Sequence, residues 1–192
     1  MKTYENELDE MIDAVIKLTW NYTIFFKLFE KKEIYSEARQ AHPEFFVTML
    51  DSLLCSFFVT ADLLFEEKKK ATSLRNLIRD IEMSKPALAK KLNEKIPAGK
   101  GGLIEKIRIM RNQVCAHRPK AKTPQAVFAE AAVRLSMMKE TTDLARFIVS
   151  ELADEAGGRR KKNLKKQQLS DSTLQCVIDD AGLVLRAFAE TV

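Results

Sequence analysis

Near the start of the chain, apolar residues fall at Leu8, Met11, Val15, Leu18, Tyr22, Phe25 and Phe29, in alternating steps of three and four. That spacing keeps them on one face of a helix, so the pattern predicts a long amphipathic helix. A second begins at "HPE", where Pro43 suits the first helical position, and turns Phe46, Leu50, Leu53, Phe57, Ala61 and Leu64 to one side. Two long helices facing each other follow from these stripes.

The polar run "EEKKKATS" ends that pair and leads into shorter helical pieces around "SLRNLIRDIE" and "PALAKKLNEK", which "IPAGKGG" closes. The next helix is expected over 103–119 with Leu103, Ile107, Met110 and Val114 inward, because the residue before Pro119 is biased away from helical geometry. A Thr123 cap and Pro124 then open another long helix, with Phe128, Ala131, Leu135, Met138, Thr142, Ala145, Val149 and Leu152 as its stripe. Beyond the basic stretch "AGGRRKKNLKKQQ", a last helix is capped near Ser170 or Asp171 and turns Leu174, Val177, Ala181, Val184 and Phe188 inward.

No segment alternates as a strand would, and none of the six glycines precedes Gly99. The expected class is all-α, a bundle of about five to six helices with long antiparallel members. Its expected organisation is a helical domain over 1–153, a basic linker over 154–170 and a C-terminal helix over 171–192 that packs on the same domain.

Composition adjusts this picture only slightly. With 192 residues, 46% of them hydrophobic and 31% charged, the chain has enough apolar surface to fold around a core. The most apolar run, "FFVTMLDSLLCSFFVTADLLF", holds Asp51 and Asp62, which favours a buried helix over a membrane span. An N-terminus reading "MKTYENELDEMIDA" lacks the apolar stretch of a signal peptide. Cys55, Cys115 and Cys176 are odd in number and far apart, which argues against a disulfide framework or a zinc site and fits a reducing cytoplasm. The net charge of +5 favours an anionic partner.

The chemistry-bearing residues concentrate in "IRIMRNQVCAHRPK", residues 107–120, which holds three arginines, an asparagine and one of only two histidines. On an unbroken helix Arg111 and His117 stand about 120° apart, so they meet only if the helix end unwinds or a second copy joins them. Histidine titrates near neutrality and can take a proton from a ribose 2′-hydroxyl or return one to a leaving oxygen. Arginine stays charged and its planar fork can hold two phosphate oxygens. Asn112 can orient either group, and Arg108 and Arg118 can add phosphate contacts. The same residues also suit a purely structural part, in which Arg111 and Arg118 cap carbonyls or pair with acids and His117 ends the helix.

Other candidates are weaker. Arg159, Arg160, Lys161 and Lys162 can track an RNA backbone, although a solvated linker has the same composition and no aromatic residue is interleaved for stacking. "AGKGG" has neither the glycine spacing nor the Ser or Thr of a phosphate loop. Asp62, Glu66 and Glu67 sit close together, but beside a lysine run they read as a helix end in solvent.

The stretch "RNQVCAHR" resembles the signature of HEPN domains, all-helical modules in which an arginine, usually followed by a polar residue, shortly precedes a histidine. Five residues separate Arg111 from His117 here, with Asn112 at the polar position. Together with "TADLLFEEKKKATSLRNLI", it is similar over about residues 43–150 to the abortive-infection, AbiU-like branch. That resemblance implies a homodimer with two motifs in one cleft and a metal-independent, cofactor-free endoribonuclease, with Arg111 and His117 as the catalytic pair and Asn112 in support. It also implies a toxin or antiphage effector restrained by an antitoxin or regulatory protein, away from membranes. Some HEPN domains lack activity, so the alternative is a non-catalytic binding or assembly module.

Overall fold

The computed structural model describes residues 4–30, 36–97, 99, 101–116 and 134–156. Every regular element among them is helical: α1 (Tyr4–Glu30), α2 (Ser36–Ala41), α3 (Pro43–Leu64), α4 (Leu74–Asp80), α5 (Pro86–Lys95), α6 (Leu103–Met110), a π-helical turn (Arg111–Ala116) and α7 (Leu135–Glu155). The all-α bundle expected from periodicity is the fold observed. The short α2 was not foreseen, since six residues are too few to show a period. Thr123, Pro124, the last helix and the basic stretch lie outside the described residues.

The α1 stripe is buried at Leu8, Met11, Val15, Leu18 and Phe25 and partly buried at Tyr22, and it meets Phe57, Ala61 and Leu64 of α3 and Met138, Ala145, Ile148 and Leu152 of α7 in one apolar cluster. Burying aliphatic and aromatic side chains of this size contributes roughly 1.5–3 kcal/mol each before entropy is counted. At its far end α1 departs from the stripe. Phe29 is half exposed, and Leu28 takes the buried place against Phe46 of α3, forming a small separate cluster. A strict heptad spacing drifts about 20° per repeat around a straight helix, so three repeats carry Phe29 off the buried side.

α1 and α3 run antiparallel. Asn21 donates to Ser56 Oγ at 2.8 Å midway along the pair, while Leu28 meets Phe46 at one end. The other end of α3, with Asp62, therefore lies beside the first turns of α1. The C-terminal part of α7 is tied to the α5 side by Lys85–Glu155 at 2.6 Å and Lys91–Glu151 at 2.7 Å, and Lys91 also sits 5.5 Å from the Phe147 ring centre.

α3 is long and apolar enough by composition to cross a membrane, with a mean hydropathy of 1.6 over its most apolar window. One side of it is the buried stripe, and the other exposes Val47, Val59 and Leu63.

The polar segment after α3 folds back through Ser73 and Asn76. Ser73 Oγ donates to the Glu66 carbonyl at 2.8 Å and accepts from the Asn76 backbone N–H, capping α4. The Asn76 side chain donates to the carbonyls of Lys68 and Ala71 at 2.8 and 2.5 Å. Glu66 accepts from the backbone N–H groups of Glu67 and Lys68, so the loop is held at both ends.

Candidate functional site around Arg111

α6 starts where Gly101 adopts a positive φ of 78°, with its backbone N–H donating to the Glu105 carboxylate. A glycine carries that backbone geometry without strain, which lets the chain reverse into the helix. Leu103, Ile107 and Met110 are buried as the stripe required. The side chain of Val114 lies outside the described residues.

At Arg111 the helix changes type. The Arg111 N–H reaches both the Arg108 and the Ile107 carbonyls, and residues Arg111–Ala116 then form a π turn in place of the α-helix expected through this stretch. The physical reason lies in which residues must pack. Positions five apart stand about 140° apart on an α-helix, but a turn closed i to i+5 returns them to nearly the same side. Met110 is fully buried and Cys115 packs against the same core, so the wide turn seats both. The Cys115 thiol forms a hydrogen bond with the Cys55 thiol on α3, and burial together with that bond pushes it well above the usual thiol range. Cys115 is thus a packed cysteine.

The same turn directs Arg111 toward α3. Its Nε lies 3.7 Å from Asp62 Oδ2, and the Arg108 Nε lies 3.7 Å from Asp62 Oδ1. Arg111 Nη1 also donates to Asn112 Oδ1 at 2.7 Å. The Asp62 side chain is 12% exposed, beneath two arginine side chains that are 42% and 43% exposed. Burial pushes the Asp62 carboxyl above its ordinary value, against the pull of Arg111 and Arg108, with Glu66 adding to the rise. Burial also acts upward on Glu66, but the backbone donors of Lys68 and Glu67 bring that carboxyl below its usual range.

Arg111, Asp62 and Glu66 line a cleft of about 600 Å³ between α1 and α3, with Glu10, Ala14 and Val59 among its other walls. The structure thus brings Arg108, Arg111 and Asn112 together. His117, Arg118, Arg159, Arg160, Lys161 and Lys162 lie outside the described residues. Among the described residues no group of three His, Cys, Asp or Glu could hold a metal ion.

The model of the HEPN family AbiU2 matches residues 1–172. The chain belongs to that family. Comparison with curated proteins and with solved structures gave no match. The AbiU2 match runs further than the similarity first visible over 43–150 and takes in α1 and the basic stretch. An AbiU2 HEPN module is connected with abortive infection.

Two residues of this AbiU2 chain escaped sequence reasoning. Asp62 read as a solvated helix end, but α3 buries its carboxylate under Arg108 and Arg111. The available signal was its position on an apolar helix four residues after Phe58 and one after Ala61, both of which are buried. Gln113 is the second, with Oε1 buried and without a hydrogen-bond partner among the described residues. Nothing in the pattern marks it, because only the π turn brings it to that place.

Proposed function

We propose that the protein is a HEPN endoribonuclease acting as a homodimer, a toxin or antiphage effector that cuts RNA without a metal ion. The observation that carries this reading is Arg111, directed by Asn112 and Asp62 into a cleft at the end of the motif helix. In the proposed reaction His117 takes the proton of a ribose 2′-hydroxyl, and the 2′-oxygen attacks phosphorus. The bond to the 5′-oxygen breaks, that oxygen regains a proton, and Arg111 stabilises the charge on the phosphoryl oxygens. Arg108 and Arg118 add phosphate contacts, and Arg159, Arg160, Lys161 and Lys162 attract the backbone through salt-dependent contacts.

A second protomer is supported by the apolar side of α3. Val59 and Leu63, one helical turn apart, are 46% and 47% exposed beside the Arg111 cleft. A patch of this kind at a polar cleft fits a protein partner, here a second copy that would bring its own motif. The same surface also supports the alternative of a non-catalytic assembly module.

Purified protein incubated with cellular RNA in EDTA should cut it, and Arg111→Ala or His117→Ala should each lower the rate by about a hundredfold or more. Cutting at the wild-type rate by both variants would exclude the assignment. A dimer that forms without any RNA turnover would favour the assembly reading.

A further inference from the structure

The geometry points to Asp62 as the positioning residue of this site: its carboxylate, fixed on α3, spans Arg108 and Arg111 and holds the two side chains beside each other, with Arg111 on the wall of the cleft. The inference rests on the proposed RNA-cleaving role of Arg111 and deepens it.

Two arginines three positions apart on a helix are neighbours, and their like charges push long side chains away from each other. A single carboxylate between them reverses that tendency. Asp62 uses a different oxygen for each Nε, at 3.7 Å in both cases, so one group sets both side chains. The trio by itself carries one net positive charge, which Glu10 and Glu66 on the same cleft oppose. Asn112 fixes the Arg111 fork from another direction through Nη1, and a guanidinium held on two sides has few orientations left to lose when it meets substrate.

The charges around Asp62 come from every packed element. Arg111 lies on the π turn, Arg108 on α6, Glu66 on the segment after α3, and Glu10 of α1 lines the same cleft. Burial outweighs the two arginines and raises the Asp62 carboxyl, which is the sign of an anion retained at some cost.

The test compares full-length wild type with Asp62→Asn and Asp62→Glu. The Arg111 side-chain Nε–H signal, assigned with Arg111→Lys and read by heteronuclear relaxation, should be rigid in wild type, mobile in Asp62→Asn and restored toward rigid in Asp62→Glu. On RNA, Asp62→Asn should lose about tenfold in kcat while RNA affinity stays level or tightens, because a negative charge has left a phosphate cleft. An Arg111 as rigid in Asp62→Asn as in wild type overturns the inference, and so does an unchanged kcat. An Asp62→Asn chain that fails to fold assigns Asp62 to stability and overturns it too. If wild type cuts no RNA, the proposed function fails by itself, and the relaxation measurement still decides the role of Asp62.

Discussion

At Asp62 and Gln113, single side chains carry an energetic cost inside an otherwise well-packed chain. The Asp62 carboxyl binds its proton more tightly in the folded chain than in the unfolded one, because burial raises it above the ordinary value of 3.8. Its contribution to stability therefore falls as pH rises from that value through the raised one. Asp62→Asn should accordingly gain on wild type across that window, and parallel thermal unfolding from acid to neutral pH checks it; a gap that stays constant or shrinks contradicts the shift. Gln113 Oε1 is buried without a partner among the described residues, which costs about 1–3 kcal/mol. Gln113→Met, of similar shape and without the acceptor, should raise stability by about 1 kcal/mol in denaturant unfolding. A loss of stability would mean that the amide is satisfied in solution.

At the scale of elements, the segment between α3 and α4 fixes Glu66 beside the cleft, and Asn76 holds that segment with two bonds to carbonyls. Asn76→Ala should cost about 2 kcal/mol or more, since it strands both acceptors. Hydrogen exchange should locate the loosening in residues 65–73, and an unchanged midpoint would show that water replaces the side chain. Helix existence was legible here wherever a stripe ran for several turns, as in α1, α3 and α7. The π turn was not. Its cause is the seating of Cys115 on the core together with Met110, a spacing of five that a period of 3.6 does not select. The arginine motif was legible as residue types, but its partner Asp62 lies some fifty positions earlier. One-dimensional patterning records which side of α3 faces inward and leaves open which element covers it.

At the scale of the molecule, the core joins α1, α3 and α7, and among the described residues part of α3 is left uncovered. Val59 and Leu63 stand at the rim of the cleft, so the proposed dimer and the proposed chemistry share one wall. Leu63→Lys should shift a dimer to monomer in light scattering after size exclusion and reduce RNA cutting together with it, while circular dichroism stays helical. A variant that remains dimeric would place the subunit contact elsewhere. The antiparallel packing of α1 and α3 followed from two facing stripes, whereas the apolar outer side of α3 had no reading of its own, since a sequence does not distinguish a core face from a face awaiting another chain.

The π turn also bears on how the motif can vary in length. A turn closed i to i+5 is an α turn that holds one residue too many. Removing one residue from 111–114 should let the helix close in the ordinary way, with Met110 and Cys115, now four positions apart, still seated on the core. The fold thus carries a built-in allowance of one position between the arginine and the histidine. A deletion of Gln113 should keep the chain folded, and the spacing of the motif becomes a quantity the scaffold can gain or lose without being redesigned.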